Sequence, residues 1–180
     1  MEVSEREFLR ESLFNNRERL LNAVTGLTAA QTEFRPGPNA WSIPDCLEHI
    51  TLVETRVMKS IERVLQTAPE PQKAATVVGK ERLILAAVPD RSTKVEAPEQ
   101  VRPTRQSSDI RKLTAAFQAA RERSMRFAAE SDADLRSHFF PHIRFGDLDC
   151  YQWLVFLGPH CERHVLQIEE IKAAGVGVAK

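Results

Sequence analysis

Apolar residues return at three- and four-residue steps through four separate segments of this 180-residue chain, and that period specifies amphipathic helices. The clearest run is Ile43, Leu47, Ile50, Val53, Val57, Ile61 and Val64. Ser42 is placed to cap its start, Pro44 falls in its first turn and Asp45 at its third position, which predicts a helix reaching about residue 67. At residues 4–7 the sequence "SERE" is a second start signal, a Ser whose partner Glu stands three residues on. The stripe behind it takes in Phe8, Leu9, Leu13, Leu20, Ala23 and Val24 and ends near Gly26. A third segment, "SSDIRKLTAAFQAARERSMRFAAE", turns Ile110, Leu113, Phe117, Ala120 and Phe127 inward. The last helix opens at Asp149, where Gln152 completes a capping box and Leu148 can staple against Trp153, and it ends near Gly175.

What separates these segments constrains the topology. Pro36, Gly37 and Pro38 forbid one continuous helix between the first two. Residues 68–107 hold five of the ten prolines, Pro69, Pro71, Pro89, Pro98 and Pro103. Within them "GKERLILAAV" reads equally as a short helix or a strand. So long a connection suits a crossover between parallel helices of a bundle better than a turn between antiparallel neighbours. The stretch "SHFFPHIRFGDLD" reads as a loop, no fixed-period repeat is present, and no segment reads as a sheet. The expected fold is all-α, in one domain spanning residues 1–180.

Lys plus Arg and Asp plus Glu both number 25, so the net charge is zero, which argues against a broad footprint for nucleic acid or an anionic membrane. No apolar run is long enough to span a bilayer, and the charged start "MEVSEREFLRESLF" lacks the apolar middle of a signal peptide. Cys46, Cys150 and Cys161 are odd in number and form no C-x-x-C pair, so reduced thiols in a cytoplasmic protein are expected. Cys46 and Cys150 read as small buried hydrophobes. Cys161 stands beside a candidate ligand and keeps a claim to function.

That candidate lies in "HCERH". On a helical wheel Trp153, Leu157, His160, His164, Ile168 and Ile171 share one face, so two imidazoles replace apolar residues within a core stripe. Buried polar rings need partners. Hydrogen bonds to backbone or carboxylates would satisfy them one at a time, and a metal would satisfy both together. The zinc-protease H-E-x-x-H motif is excluded, because Cys161 occupies the place of its glutamate. Bundle metal sites draw ligands from facing helices, and His49, in line with Cys46 and Val53, is the natural third. Three nitrogens would leave a coordination position open.

Around this set, Glu48 and Glu54 are expected in solvent, Glu54 acting behind a ligand if it turns inward. Pro159 either kinks the last helix at the site or breaks it there. His138 and His142 are expected to be exposed loop residues, with His142 able to cover the mouth of the pocket as an acid or base. Arg163 is expected to face solvent or a carboxylate.

"GLTAAQTEFRPGPNAWSIPDCLEHI" followed far downstream by "FGDLDCYQWLVFLGPHCERHVLQI" resembles the DinB-like metal-binding superfamily. Trp41-Ser42 before His49, Phe145-Gly146 before Trp153, and the His160/His164 pair before Gln167-Ile168 carry the resemblance, over nearly the whole chain. It implies a four-helix bundle of up-down-down-up topology, with a divalent metal held by His49, His160 and His164. Relatives include thiol-dependent S-transferases, and dimers are frequent among them. One departure is that Ile143 follows His142 where the family often has proline.

Three functional classes follow. An enzyme would use the metal to transfer a low-molecular-weight thiol or to hydrolyse a small substrate. A binding module would hold metal or ligand without turnover. A purely structural bundle would pack and hydrogen-bond its histidines. The metal itself, zinc, nickel or iron, is not encoded in imidazole chemistry.

Overall fold

A computed structural model of the chain describes residues 1–175. Its helices are α1 (Val3–Val24), α2 (Ala29–Glu33), α3 (Ile43–Val64), α4 (Lys80–Ala87), α5 (Ile110–Glu130) and α6 (Cys150–Gly175). Strands β1 (Phe139–His142) and β2 (Gly146–Asp149) form a small antiparallel hairpin, with Phe139 opposite Asp149 and His142 opposite Gly146. The expectation of helices with no sheet is corrected at this hairpin. Gly146 takes φ 64°, the left-handed conformation open to glycine, at the turn where the chain reverses. No described helix is long and apolar enough to cross a membrane.

Cap chemistry explains where the long helices begin. The Ser42 hydroxyl accepts from the Asp45 N–H, and the Asp45 carboxylate accepts from the Ser42 N–H at 3.0 Å. At α6, Asp149 Oδ1 accepts from the Gln152 N–H at 2.7 Å, while Gln152 Oε1 accepts from the Asp149 N–H. Both match the sequence reading. The start of α1 does not: its capping box joins Glu2 to Glu5, two residues earlier than the Ser4–Glu7 pair. Phe8 is exposed rather than part of the stripe, because Leu9 and Leu13 already face the core. The short α2 was not expected either, and it rests on a Thr28–Gln31 capping box.

Helices α1 and α3 each pack against both α5 and α6. One apolar cluster joins Leu9 and Leu13 of α1, Val57 to Val64 at the end of α3, Ala128 at the end of α5, and Cys150 to Leu157 at the start of α6. The other joins Leu20 to Val24 of α1, Ile43 to Ile50 at the start of α3, Leu113 and Phe117 of α5, and Cys161 to Ile171 of α6. The connection from α3 to α5 is crossed by α4, so "GKERLILAAV" is helical, with Ile84 buried.

Candidate metal centre

His49 enters the bundle core from α3, one turn after Asp45, and His160 and His164 enter from successive turns of α6. All six residues of the expected α6 stripe are buried. The three histidines are 4%, 8% and 6% exposed, nearly sealed from solvent. His49 Nε2 lies 3.2 Å from His160 Nε2, and one nitrogen of each ring falls within 4.8 Å of the others. Four-coordinate metal–imidazole geometry, with bonds near 2.0–2.1 Å, spaces ligand nitrogens by roughly 3.3 Å. The His49–His160 pair is at that spacing, and His164 lies within 4.8 Å of both.

The outward nitrogens decide what the inward ones offer. His49 Nδ1 donates to the Val101 carbonyl at 2.6 Å, and His164 Nδ1 donates to Gln167 Oε1 at 2.9 Å. A neutral ring that gives its hydrogen outward keeps a lone pair on Nε2. Burial is the main cause that pulls His49 down to about 4, only partly offset by its bond to Val101. Burial first, then the neighbouring imidazoles, holds His160 well below the ordinary range, and the same two causes hold His164 there. Neutral, inward-facing imidazoles are the form that ligates a metal. The donor set therefore fits a divalent transition metal.

Aromatic rings wall this cluster. Trp41 stacks on His164, with centroids 5.9 Å apart, and tilts against His49 at 4.7 Å. Phe156 packs on His160 at 5.0 Å and also meets His142 at 5.0 Å. His142 thus stands one ring away from the triad. It is half-buried against Phe145 and Trp153, not an exposed loop residue, and burial lowers it to about 4. Its Nδ1 accepts from the Arg144 N–H at 3.1 Å within the hairpin turn.

Several neighbouring expectations are corrected. Glu54 is neither solvated nor behind a ligand. It is 1% exposed, and Arg121, 0% exposed, donates to it from Nε at 2.7 Å and from Nη2 at 2.9 Å. The signal was present in the sequence: Glu54 falls between Ile50 and Val57 at steps of four and three, and Arg121 follows Phe117 by four, so both lie on apolar stripes. Arg163 faces backbone instead of a carboxylate, donating to the carbonyls of Val88, Asp90 and Thr93. Glu48 is half-buried and accepts from Thr104 Oγ1 and the Arg105 N–H.

Cys161 points away from the triad toward the Asn16 carbonyl, and burial raises its thiol to about 12, so it offers no thiolate to the site. His138 is buried, its ring nitrogens against the carbonyls of Asp134 and Thr67, far along the chain from the triad. Helix α6 runs through Pro159 without a break. Gly158 just before it permits close contact with α1, since a Cβ there would sit 2.4 Å from Ser12 Oγ. The Val101 carbonyl is the group that sequence reasoning missed altogether, and a backbone oxygen fifty-two positions from His49 leaves no side-chain signature.

This is a helical protein in which three buried imidazoles from two helices could hold a metal. The chain belongs to the DinB superfamily, whose family model matches residues 13–168. It is similar to the uncharacterized protein YuaE of Bacillus subtilis (strain 168), 26% identical over 162 residues, which cover 89% of this chain and 96% of that protein. No solved structure matches the chain.

Proposed function

We propose that the protein binds a divalent transition metal, zinc, nickel or iron, through His49, His160 and His164, and that it acts there on a small molecule. The reaction class we assign is transfer of a low-molecular-weight thiol to an electrophile, with metal-dependent hydrolysis as the nearest alternative chemistry. The observation that carries this reading is the convergence of three neutral imidazole nitrogens within 4.8 Å, two of the rings being held from behind by Val101 and Gln167. Bound there, a divalent metal would supply Lewis-acid chemistry, lowering the pKa of a thiol or water that enters beside the histidines.

The chain's own residues supply the rest. Burial keeps the imidazoles uncharged, the Val101 carbonyl and the Gln167 amide aim them, and Trp41 and Phe156 exclude water from either side. The partition of the two apolar clusters supports the up-down-down-up order: the starts of α1 and α6 share one end with the finishes of α3 and α5. Three free, buried cysteines accord with the cytoplasmic setting included in this reading. The homodimer that the resemblance implies is part of the same proposal, and sedimentation equilibrium reads it directly.

A second reading, a metal- or ligand-binding bundle without turnover that serves in a stress response, is favoured by one observation. The histidines are almost sealed, and neither of two cavities of about 270 and 280 Å³ is lined by any of them. The two readings part on a cobalt-loaded sample. Under the first, 2-mercaptoethanol shifts the visible cobalt spectrum, and the loaded protein then consumes 1-chloro-2,4-dinitrobenzene or another electrophile. Cobalt bands that no thiol perturbs would leave the binding module. A protein that takes up no cobalt contradicts both.

A further inference from the structure

Residues 88–105, the second half of the α3–α5 connection, reach the triad at the Val101 carbonyl and are fastened elsewhere to α3 and α6. Only Val88 and Val101 are buried apolar anchors, and no residue between them is buried. Most of the remaining ties are polar, and several come from His49 or from residues beside the ligand histidines. His49 itself holds the Val101 carbonyl. Glu48, the residue before it, holds Thr104 Oγ1 and the Arg105 N–H at 3.1 Å. Arg163, the residue before His164, holds the carbonyls of Val88, Asp90 and Thr93. Arg91 completes the fastening with Nε 2.7 Å from Glu170 Oε1, also on α6.

We propose that this segment is a strap whose closure over the site is coupled to occupation of the three-histidine centre. The inference rests on the metal-binding reading above. A segment with little buried apolar surface opens at low free-energy cost, so small changes in its pins shift its population measurably. Fixing the His49 ring from its Nε2 side restricts its rotation and strengthens the donor on its Nδ1 side, which holds Val101. Locking α3 and α6 together at His49, His160 and His164 also sets the separation between Glu48 and Arg163, which pin opposite ends of the strap. Coupling of this kind is reciprocal: metal favours the closed strap by the same factor by which the closed strap favours metal.

The test is amide hydrogen exchange on the full chain with and without stoichiometric zinc, the bound zinc being measured in the same sample. The Val101 and Arg102 amides, bonded inside the Glu99–Val101 turn, report strap opening. Zinc is expected to slow their exchange several-fold in the wild type and leave it unchanged in His164→Ala. The reciprocal arm uses Arg91→Ala combined with Thr104→Ala, which cuts strap pins without touching a ligand. It is expected to raise the zinc Kd about five-fold or more. Zinc bound at one per chain with no change at Val101 and Arg102, or an unchanged Kd in the double variant, overturns the coupling alone. Failure of the wild type to bind zinc, nickel or iron at all overturns the metal-binding reading and the strap with it.

Discussion

Glu54 and Arg121 meet in the middle of the bundle with their charges answered from within the chain. The guanidinium spans both carboxylate oxygens, and its remaining donors reach the Leu13 carbonyl of α1 at 3.0 Å and the Leu157 carbonyl of α6 at 3.5 Å, so one side chain of α5 ties all four long helices. His49 stands five residues before Glu54, about 7–8 Å along α3. There two of the triad's rings, His49 and His164, are answered from behind by Val101 and Gln167, while the inward nitrogens of His49 and His160 face each other. Two nitrogens 3.2 Å apart, each a lone-pair donor when its hydrogen points outward, repel unless a proton or a cation lies between them. Glu54 and Arg121 close their bonds with the chain alone, whereas the inward nitrogens of the triad leave room for a proton or a cation between them.

The largest test of that contrast is on the closed side. Arg121→Met strands the Glu54 carboxylate without its partner, and urea denaturation is expected to show a loss of about 3–5 kcal/mol. Adding Glu54→Leu removes the stranded charge, and the double variant is expected to recover most of that loss or exceed the wild type. A single variant no less stable than the wild type would mean that the pair is not holding the helices together.

On the open side the expected effect appears only with metal. At a free metal concentration of about one hundred times Kd, linkage adds about 2.7 kcal/mol to the unfolding free energy. That increment should vanish in His164→Ala and persist in Arg121→Met, provided the latter stays folded at the assay temperature. An increment lost in both would merge the two clusters into one unit and end the contrast.

Smaller effects sharpen the boundary. Gln167→Ala frees His164 Nδ1 from its acceptor and is expected to weaken metal binding about ten-fold, with unfolding in metal-free buffer little changed. Gly158→Ala sets a methyl against Ser12, between Leu157 of the closed cluster and His160 of the open one. Its expected cost is about 1 kcal/mol of stability, partly restored by Ser12→Ala, with metal affinity unaltered. Equal affinity losses from both substitutions would show that α1–α6 packing, and not ring orientation, governs the site.

What could be read in the sequence follows from what has a period. Helices α1, α3, α5 and α6 announce themselves through apolar residues at three and four, and the caps at Ser42 and Asp149 have fixed offsets to Asp45 and Gln152. The triad was legible for the same reason, since His160 and His164 share a stripe and His49 sits beside one. The hairpin was not, because adjacent Phe139 and Phe140 followed by Pro141 break the two-residue alternation that marks a strand. Glu54 and Arg121 were legible as stripe positions, yet each charge alone reads as solvated, and only the pairing across helices reverses that. The tie from His49 to Val101 depends on how a proline-bearing connection folds back over α3, which local pattern does not carry.

Whether His49, His160 and His164 together hold a metal is read by elemental analysis of the purified protein beside its His49→Ala variant. About one divalent transition metal per chain is expected in the wild type and a residue near zero in the variant, with both proteins folded by circular dichroism. Equal metal content in the two, or none in the wild type after reconstitution with zinc, nickel and iron in turn, would contradict it.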